Sequence, residues 1–598
     1  MSKAEREVYC IPDKLGTPIP LDDHAVSVAL PLWAHVVGYE EGDEEVLKQM
    51  FIGYPRFKIH LYVEMLMDHY TSARNNSCQC AEEEEACLIF PSTDTAERCA
   101  DFLERHAALQ SIKGAVATLV PTGYFDTCVV FFPRRFRAVA KAFWQHCGEI
   151  LSSRTAYDLL IDHLGLAVES ATGDDLSARY VSSGCCEGFS DHSAERGIKS
   201  HIAGVLQIDA CRSEELVSLT ASGMAAIYSS FRLAREHHRE TFGESNPHMV
   251  VFGFPYLDTL KLLGRGELNE GGVSFFGRAD EADMAQLQLL LERRNSAGTA
   301  ESRIGAVFAE FPSNPLLRVC DLRRLSELCV HHDCLLVVDD TIGNFANVDL
   351  LHGGEGSGVV VDLLCTSLTK TYSGRGDVLA GSLVVNPVSR HSCSMLAHIK
   401  HLKLSPLYKK DVATLVENSK DFLQRTAATN RGAAALAAFL QGDPAVGPLV
   451  ERVYYPSGSG SNSDWAEAVH RSLLRKPSNM TQQMRDQGFE AGFGCLLSVV
   501  FREEVDVTLV YDNLALHKGP SLGTNYSLVS PYTLLAHYFE LEWAESFGVS
   551  RRLLRVSVGT EDAAYLQQRF LHAVSVACSA GRLNLTTVAG EQVGEDQE

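Results

Sequence analysis

The chain lacks an uninterrupted apolar run long enough to cross a bilayer. Its first residues, MSKAEREVYCIPDKLG, lack both the apolar core of a secretory signal and the arginine-rich, acid-poor character of a transit peptide. It has no basic surplus either: 53 Lys and Arg against 76 Asp and Glu leave a net charge of −23. That balance excludes a general binder of nucleic acid or of anionic membranes, while leaving room for a local pocket for a small anion. No GxxxxGK[ST] occurs, so a phosphate-binding P-loop is excluded. The glycines of HGGEGSGVVVDLL precede a strand, whereas a dinucleotide fingerprint follows one and opens a helix, so that run reads as a loop. Paired zinc-ligand spacing is missing too, at CQC (Cys78–Cys80) and at HSCSMLAHIKH, with His391, Cys393, His398 and His401, so no metal is expected.

What is present is a long, ordinary globular composition. At 598 residues, 45% hydrophobic and 22% charged, the chain exceeds one core and implies two or three domains. Seventeen cysteines, an odd number scattered from Cys10 to Cys578, read without a signal as reduced, mostly buried thiols. The cytoplasm is the expected address.

Residues 1–170 mix amphipathic segments with turns and are expected to form an extra amino-terminal region. A Ser/Gly/Asp-rich stretch follows, ESATGDDLSARYVSSGCCEGFSDHS, and predicts a linker or arm over 171–200. Over 201–400, five runs read as buried strands: MVVFGF, IGAVFAEF, CLLVVDD, VVVDLLCTS and GSLVVNP. Helical patterns such as GMAAIYSSFRLAREHHRE and DLRRLSELCVHHD lie between some of them. This alternation predicts an α/β domain on a mainly parallel sheet covered on both faces. Residues 401–586, with long helices and the strands FGCLLSVVF and LLRVSVG, predict a smaller α+β domain, and 587–598 a disordered tail.

Within this frame Lys370 stands out, set between the apolar run VVVDLLCTS and the turn SGRGD. An amine with a pKa of about 10.4 is a poor nucleophile at neutral pH, and burial or conversion to an imine changes that. Its surroundings match the needs of a pyridoxal phosphate site, namely an imine lysine, a phosphate cradle, an acid for the ring nitrogen and an aromatic face. Ser367 and Thr369 offer hydroxyls. Gly223 and Met224 open a helix whose free N–H groups and dipole favour an anion. Asp339 ends the strand LLVVD, and Tyr256 follows another strand end in GFPYLDTLK. Each feature alone is ordinary for a capped helix or a strand end; the four together point to one cofactor.

These motifs are similar to those of the cysteine/methionine-metabolism enzymes dependent on pyridoxal phosphate, and most resemble the fungal cystathionine γ-synthase branch. SLTK with SGRGDVLAGS looks like the family's lysine signature and FAEFPSNPLLRVCDL like its E-x-P-x-N-P stretch. VVDDT stands at its V-D-N-T, and SLGTNYSL and RVSVGTED resemble its carboxy-terminal signatures. GYPRF and HAVSVALPLWAHVVGYEEGD resemble the extra region of the fungal branch, to which the sequence assigns no chemistry.

The resemblance implies fold type I of pyridoxal-phosphate enzymes, the aspartate-aminotransferase-like fold. It makes Lys370 the imine lysine and proton shuttle, Asp339 the pyridinium partner and Tyr256 the stacking ring. Gly223, Met224, Ser367 and Thr369 hold the phosphate, and Asn314 lies near the phenolic oxygen. Arg555 becomes the clamp for the substrate α-carboxylate, with Ser527, Tyr526 and Arg375 expected around the substrate. Tyr526 replaces the family's usual glutamate, and Arg375 is an addition to its lysine loop. Family members also take a phosphate contact from a neighbouring subunit through Y-x-R-x-x-N-P-T, for which Arg196 in AERGIKSH is the candidate. The implied reaction is γ-replacement on an O-acyl-L-homoserine by L-cysteine, a transsulfuration step of methionine biosynthesis. The alternatives are sulfide or a carbon nucleophile as acceptor, a lyase acting on cystathionine, or an inactive regulatory paralogue. The implied assembly is a homotetramer of paired dimers with shared sites.

Overall fold

The computed structural model describes residues 10–77, 84–112, 116–166, 168, 191–296, 302–352, 359–457 and 464–580. Cys78–Cys80, most of the expected linker, the glycines of HGGEGSG and the carboxy-terminal tail lie outside them. None of the described helices is long and apolar enough to cross a membrane.

All five strands expected in the central region form, and two more join them. In chain order they are β1 (Val217–Thr220), β2 (His248–Phe252), β3 (Val273–Phe276), β4 (Ile304–Glu310), β5 (Leu335–Asp339), β6 (Leu363–Ser367) and β7 (Gly381–Val385). They make one seven-stranded sheet in the order β1-β7-β6-β5-β4-β2-β3. Only β7 runs against its neighbours. β2, β5 and β7 are buried along their whole length or nearly so, as a sheet covered on both faces requires. β1 and β3 escaped the sequence reading because each has four residues, and β3 is only half-buried. The parallel strands deliver their carboxyl ends, and therefore Glu310, Asp339 and Ser367, to one edge of the sheet. In open parallel sheets that edge is where ligands bind.

The smaller carboxy-terminal domain carries a five-stranded sheet, with Leu554–Ser557 hydrogen-bonded between Leu496–Phe501 and Leu528–Ser530. Arg555 sits in this central strand, opposite Ser498 and Ser530.

The amino-terminal region is not a separate ball beside these domains. Its three-stranded sheet and helices, with Tyr62, Phe90, Phe102 and Phe143 buried, belong to the same apolar core as the large sheet. Leu15, Val28, Leu30, Val36, Val46 and Met50 instead join the core of the small domain. The helix Asp191–Val205 occupies part of the stretch expected as linker. Phe143 ties the pieces together, packing on Phe90 and Phe102 at 5.9 and 5.4 Å and on Tyr228 of the large-domain helix Gly223–Phe242 at 6.4 Å. Phe143→Ala is therefore expected to cost about 3–5 kcal/mol, read as a lower urea midpoint for loss of the amino-terminal and large-domain signal together. An unchanged midpoint would contradict a shared core.

Candidate active site

Where the carboxyl edge of the large sheet meets the small domain there is a cavity with an open volume of about 970 Å³, its mouth included. Lys370, Tyr256, Asp339, Asn314, Gly223, Met224, Ser367, Thr369 and Arg555 all line it. Local structure explains their convergence. Ser222 caps the helix Gly223–Phe242 by accepting the Ala225 N–H at 3.1 Å, leaving the first-turn amides of Gly223 and Met224 without partners inside the helix. A Cβ on Gly223 would lie 2.7 Å from the Ser367 Cβ, so only glycine lets this helix end approach the end of β6. Thr369 stiffens the lysine loop by exchanging hydrogen bonds with Ala380, at 3.0 and 3.2 Å.

Lys370 is buried, and its Nζ donates to the Ser521 hydroxyl at 2.9 Å and lies 4.4 Å from the centre of the Tyr54 ring. Burial lowers its pKa and so favours the neutral amine. Ser521 has φ +93, a left-handed conformation rare for serine. Its hydroxyl faces Lys370 while its carbonyl accepts from Arg555 Nη2 at 2.7 Å. Arg555 also donates to the Asn314 side chain at 3.2 Å and lies over the Tyr532 ring. The other N–H groups of its planar fork remain for a carboxylate.

Asp339 and Glu310 face each other as register partners on β5 and β4. Burial pushes both carboxyls above their ordinary range, and for Glu310 the proximity of Asp339 adds to it. A cationic ring nitrogen beside Asp339 would relieve that penalty. Glu310 is anchored by the amides of Tyr256 at 2.5 Å and Asn314 at 3.2 Å.

Three site residues escaped the sequence reading. Ser521 opens the SLGTNYSL motif without having been given a role. Tyr54 and Arg56 come from GYPRF, where no chemistry was expected, yet both line the cavity. Arg56 is buried, donating to Asp258 at 2.6 Å, to the Gln145 carbonyl at 3.2 Å and to the Tyr256 hydroxyl. The Tyr-x-Arg spacing matches the start of the family's Y-x-R-x-x-N-P-T motif, a signal that GYPRF carried.

Four expected residues do not line the cavity. Arg196 stands on the exposed side of the helix Asp191–Val205, 3.6 Å from Glu214. Tyr526 points into a small cluster with Ile19, Ala29 and Leu528 and stacks on His517. Ser527 is buried under Glu561, which accepts from its amide at 2.6 Å and its hydroxyl at 2.8 Å. Arg375 lies half-buried in the turn after Lys370, its carbonyl accepting from the Tyr526 hydroxyl at 3.4 Å. The Tyr526 and Ser527 side chains are used up in that packing.

The donor set fits pyridoxal phosphate. An amine, a helix end with adjacent hydroxyls, a buried acid and an aromatic ring share one cavity, and Arg56 adds a fixed cation. Comparison with known proteins agrees. Residues 207–575 match the model of the Cys/Met metabolism PLP-dependent enzymes, and residues 63–152 that of the fungal trans-sulfuration enzyme amino-terminal domain. A cystathionine γ-synthase of Neurospora crassa is 32% identical, covering 95% of this chain and 99% of its own. A cystathionine γ-synthase-like enzyme of Amanita muscaria is 31% identical, covering 95% and 97%. A solved cystathionine γ-synthase of Xanthomonas oryzae, 23% identical, covers 61% of this chain and 82% of its own with a TM-score of 0.48.

The cavity also generates a titration signature. Burial alone would push the Tyr54 phenol up, but the charges of Lys370 and Arg56 outweigh it and bring it down to about 8. In cofactor-free protein, tyrosinate absorbance is therefore expected to rise through pH 8, with the phenolate present above that pH, and Tyr54→Phe should remove this step. Ionisation beginning only near about 10, the ordinary tyrosine value, would contradict the pairing with Lys370. With the family model spanning most of the sequence and the cavity holding its chemistry, the chain belongs to the Cys/Met metabolism PLP-dependent enzymes.

Proposed function

We propose that this enzyme performs γ-replacement on an O-acyl-L-homoserine, with L-cysteine as acceptor and cystathionine as product. The observation that carries this reading is the double use of Ser521, whose hydroxyl holds the Lys370 amine and whose carbonyl holds Arg555. An amino acid with its carboxylate on Arg555 is thereby presented with its Cα beside Lys370. Pyridoxal phosphate, when bound, supplies the electron sink that makes protons at Cα and Cβ of an amino acid removable.

The roles of the chain's own groups follow from their environments. Lys370, desolvated and biased toward the neutral amine, accepts the Cα proton and carries protons between Cα and Cβ as the γ-acyloxy group leaves. Tyr256 stays a neutral phenol, because burial raises its pKa well above the usual value, and Arg56 holds its hydroxyl in place; its ring would face the bound cofactor. Asp339 would pair with the ring nitrogen, and Gly223, Met224, Ser367 and Thr369 would receive the phosphate.

A second reading keeps the donor and changes the acceptor to sulfide or a carbon nucleophile. The observation favouring it is the apolar character of the wall formed by Phe57, Leu379, Leu522 and Leu535. The cations of the lining are Lys370, Arg555 and Arg56, and Arg56 is already bonded to Asp258. A second carboxylate, such as that of cysteine, finds no uncommitted partner among them.

Lys370→Ala is expected to abolish turnover and the near-visible absorbance of the lysine–cofactor linkage; persisting turnover would refute the role of Lys370. Arg555→Lys, which loses the planar fork but keeps the charge, is expected to raise KM for the amino-acid donor about 10- to 100-fold, the equivalent of about 1.5–3 kcal/mol. Incubation with O-acetyl-L-homoserine and a panel of cysteine, sulfide and carbon nucleophiles separates the acceptors. Strong turnover with cysteine removes the second reading; turnover with the others alone removes the first.

A further inference from the structure

We propose that Tyr532 is a second donor for the α-carboxylate of the amino-acid substrate, its phenolic proton joining the Arg555 fork at the same group. The inference rests on the reading of Arg555 as the carboxylate clamp, but not on which acceptor the enzyme uses.

The donor and acceptor roles around Asn314 carry it. A guanidinium can only donate, so the 3.2 Å contact with Arg555 Nη1 makes Asn314 Oδ1 an acceptor. The other end of that amide, Nδ2, can only donate, and it meets the Tyr532 hydroxyl at 3.2 Å. The phenol oxygen is therefore the acceptor in this bond, and its own proton must go elsewhere. Among the described residues nothing accepts that proton. Glu310 lines the same cavity as Tyr532, but its two oxygens are already held by the amides of Tyr256 and Asn314. Tyr532 is only 4% exposed, and a buried donor left without a partner is a penalty that a ligand accepting the proton removes. Burial also pushes the phenol above its ordinary value, so the proton is present throughout the neutral range.

The position of the phenol selects the ligand group. Its ring lies against the Arg555 guanidinium, whose carbon is 4.6 Å from the ring centre, and so covers one face of the clamp. Asn314 and Ser521 each take a proton from one of the two terminal nitrogens. A carboxylate then reaches the guanidinium in its plane, at the N–H groups that remain. Asn314 bonds to the clamp and to the phenol at once, which keeps the two donors one amide group apart. A carboxylate offers about four lone-pair sites, more than a fork alone fills. The Tyr532 ring is packed with Phe254, Leu316 and Leu553, which fixes where its hydroxyl stands. Tyr532 lies beyond SLGTNYSL, and its sequence surroundings did not mark it.

The test uses the enzyme loaded with pyridoxal phosphate and two unreactive probes. L-norvaline carries the carboxylate but no leaving group at Cγ, and L-norvalinamide replaces the carboxylate by a neutral amide. Each displaces Lys370 from the cofactor, and the change in near-visible absorbance gives its Kd. Tyr532→Phe, which keeps the ring and deletes the proton, is expected to raise Kd for L-norvaline about 10- to 100-fold, the loss of one hydrogen bond to a charged group. Kd for L-norvalinamide is expected to stay within about two-fold, and KM for O-acetyl-L-homoserine to rise in parallel with the L-norvaline Kd. Tyr532→Met, also without the proton, carries the same prediction should the phenylalanine chain not fold. An unchanged Kd for L-norvaline, or equal weakening of both probes, would overturn the proposal. Arg555→Lys separates the two readings. If it leaves the advantage of L-norvaline over L-norvalinamide intact, the clamp assignment falls and this inference falls with it. If it removes that advantage while Tyr532→Phe does not reduce it, only the role of Tyr532 falls.

Discussion

Lys370 is an amine taken out of water, and the rest of the site is arranged around that fact. An isolated ammonium in such a place costs several kcal/mol unless a carboxylate compensates it. Among the described residues Lys370 has no such ion pair; its close partners are the Ser521 hydroxyl and the Tyr54 ring. The hydroxyl suits a neutral amine, whereas the Tyr54 phenol favours the charged one and burial outweighs it. The same desolvation that penalises the charged form creates the nucleophile, so burial and reactivity have one cause. The two acids nearest the cavity floor obey the same logic from the opposite sign. Asp339 and Glu310 sit side by side at the strand ends, partly desolvated, and are held protonated more readily than free carboxylates.

The amine would be of little use without a ruler for the substrate, and Ser521 supplies it. Its left-handed backbone is a local cost, tolerated where surrounding structure over-determines it. That cost turns one residue into two contacts facing different partners, one from each domain. The neighbouring Gly523 extends the lock, since a Cβ there would lie 2.6 Å from the Thr371 amide. The lysine loop of the large domain and the serine turn of the small domain therefore touch backbone to backbone. Domain geometry and catalytic geometry are the same quantity here, because Arg555 belongs to a central strand of one sheet and Lys370 follows the end of a strand in the other.

Much of this was legible from the sequence because much of it is local. A long apolar strand ending in Asp339, or a serine cap followed by Gly223 and Met224, announces both its conformation and its exposed end within a few residues. Distant pairings were a different matter. Tyr54 and Arg56 lie more than 300 positions before Lys370 in the chain, and no periodicity in GYPRF reveals that they return to the cavity. The reverse error arose at Tyr526, Ser527 and Arg375. They flank motif residues that do reach the cavity, but in these turns and bends nearness in sequence does not set the direction of a side chain. Ser527 turns to Glu561 and Tyr526 to His517, while Ser521 in the same motif faces Lys370. Arg196, expected to reach a neighbouring subunit, is exposed and lies 3.6 Å from Glu214.

The amino-terminal region then takes on a definite mechanical meaning. Leu15, Val28, Leu30, Val36, Val46 and Met50 join the small domain's core, whereas Val26 and the residues from Ile59 to Leu160 join that of the large domain. The chain passes from one core to the other at the stretch that contains Tyr54 and Arg56. A strap anchored on two bodies fixes the distance between them, and the residues at its crossing point feel any relative motion of the two. The cavity lies at that same seam. Tyr54 and Arg56 therefore stand where displacement of the small domain would move Arg555 and Ser521 relative to Lys370, and the strap opposes such displacement. Apart from the Tyr54–Arg56 pair its contribution is geometric: it holds a clamp and an amine at a fixed spacing, and lends one cation and one ring to the surface between them.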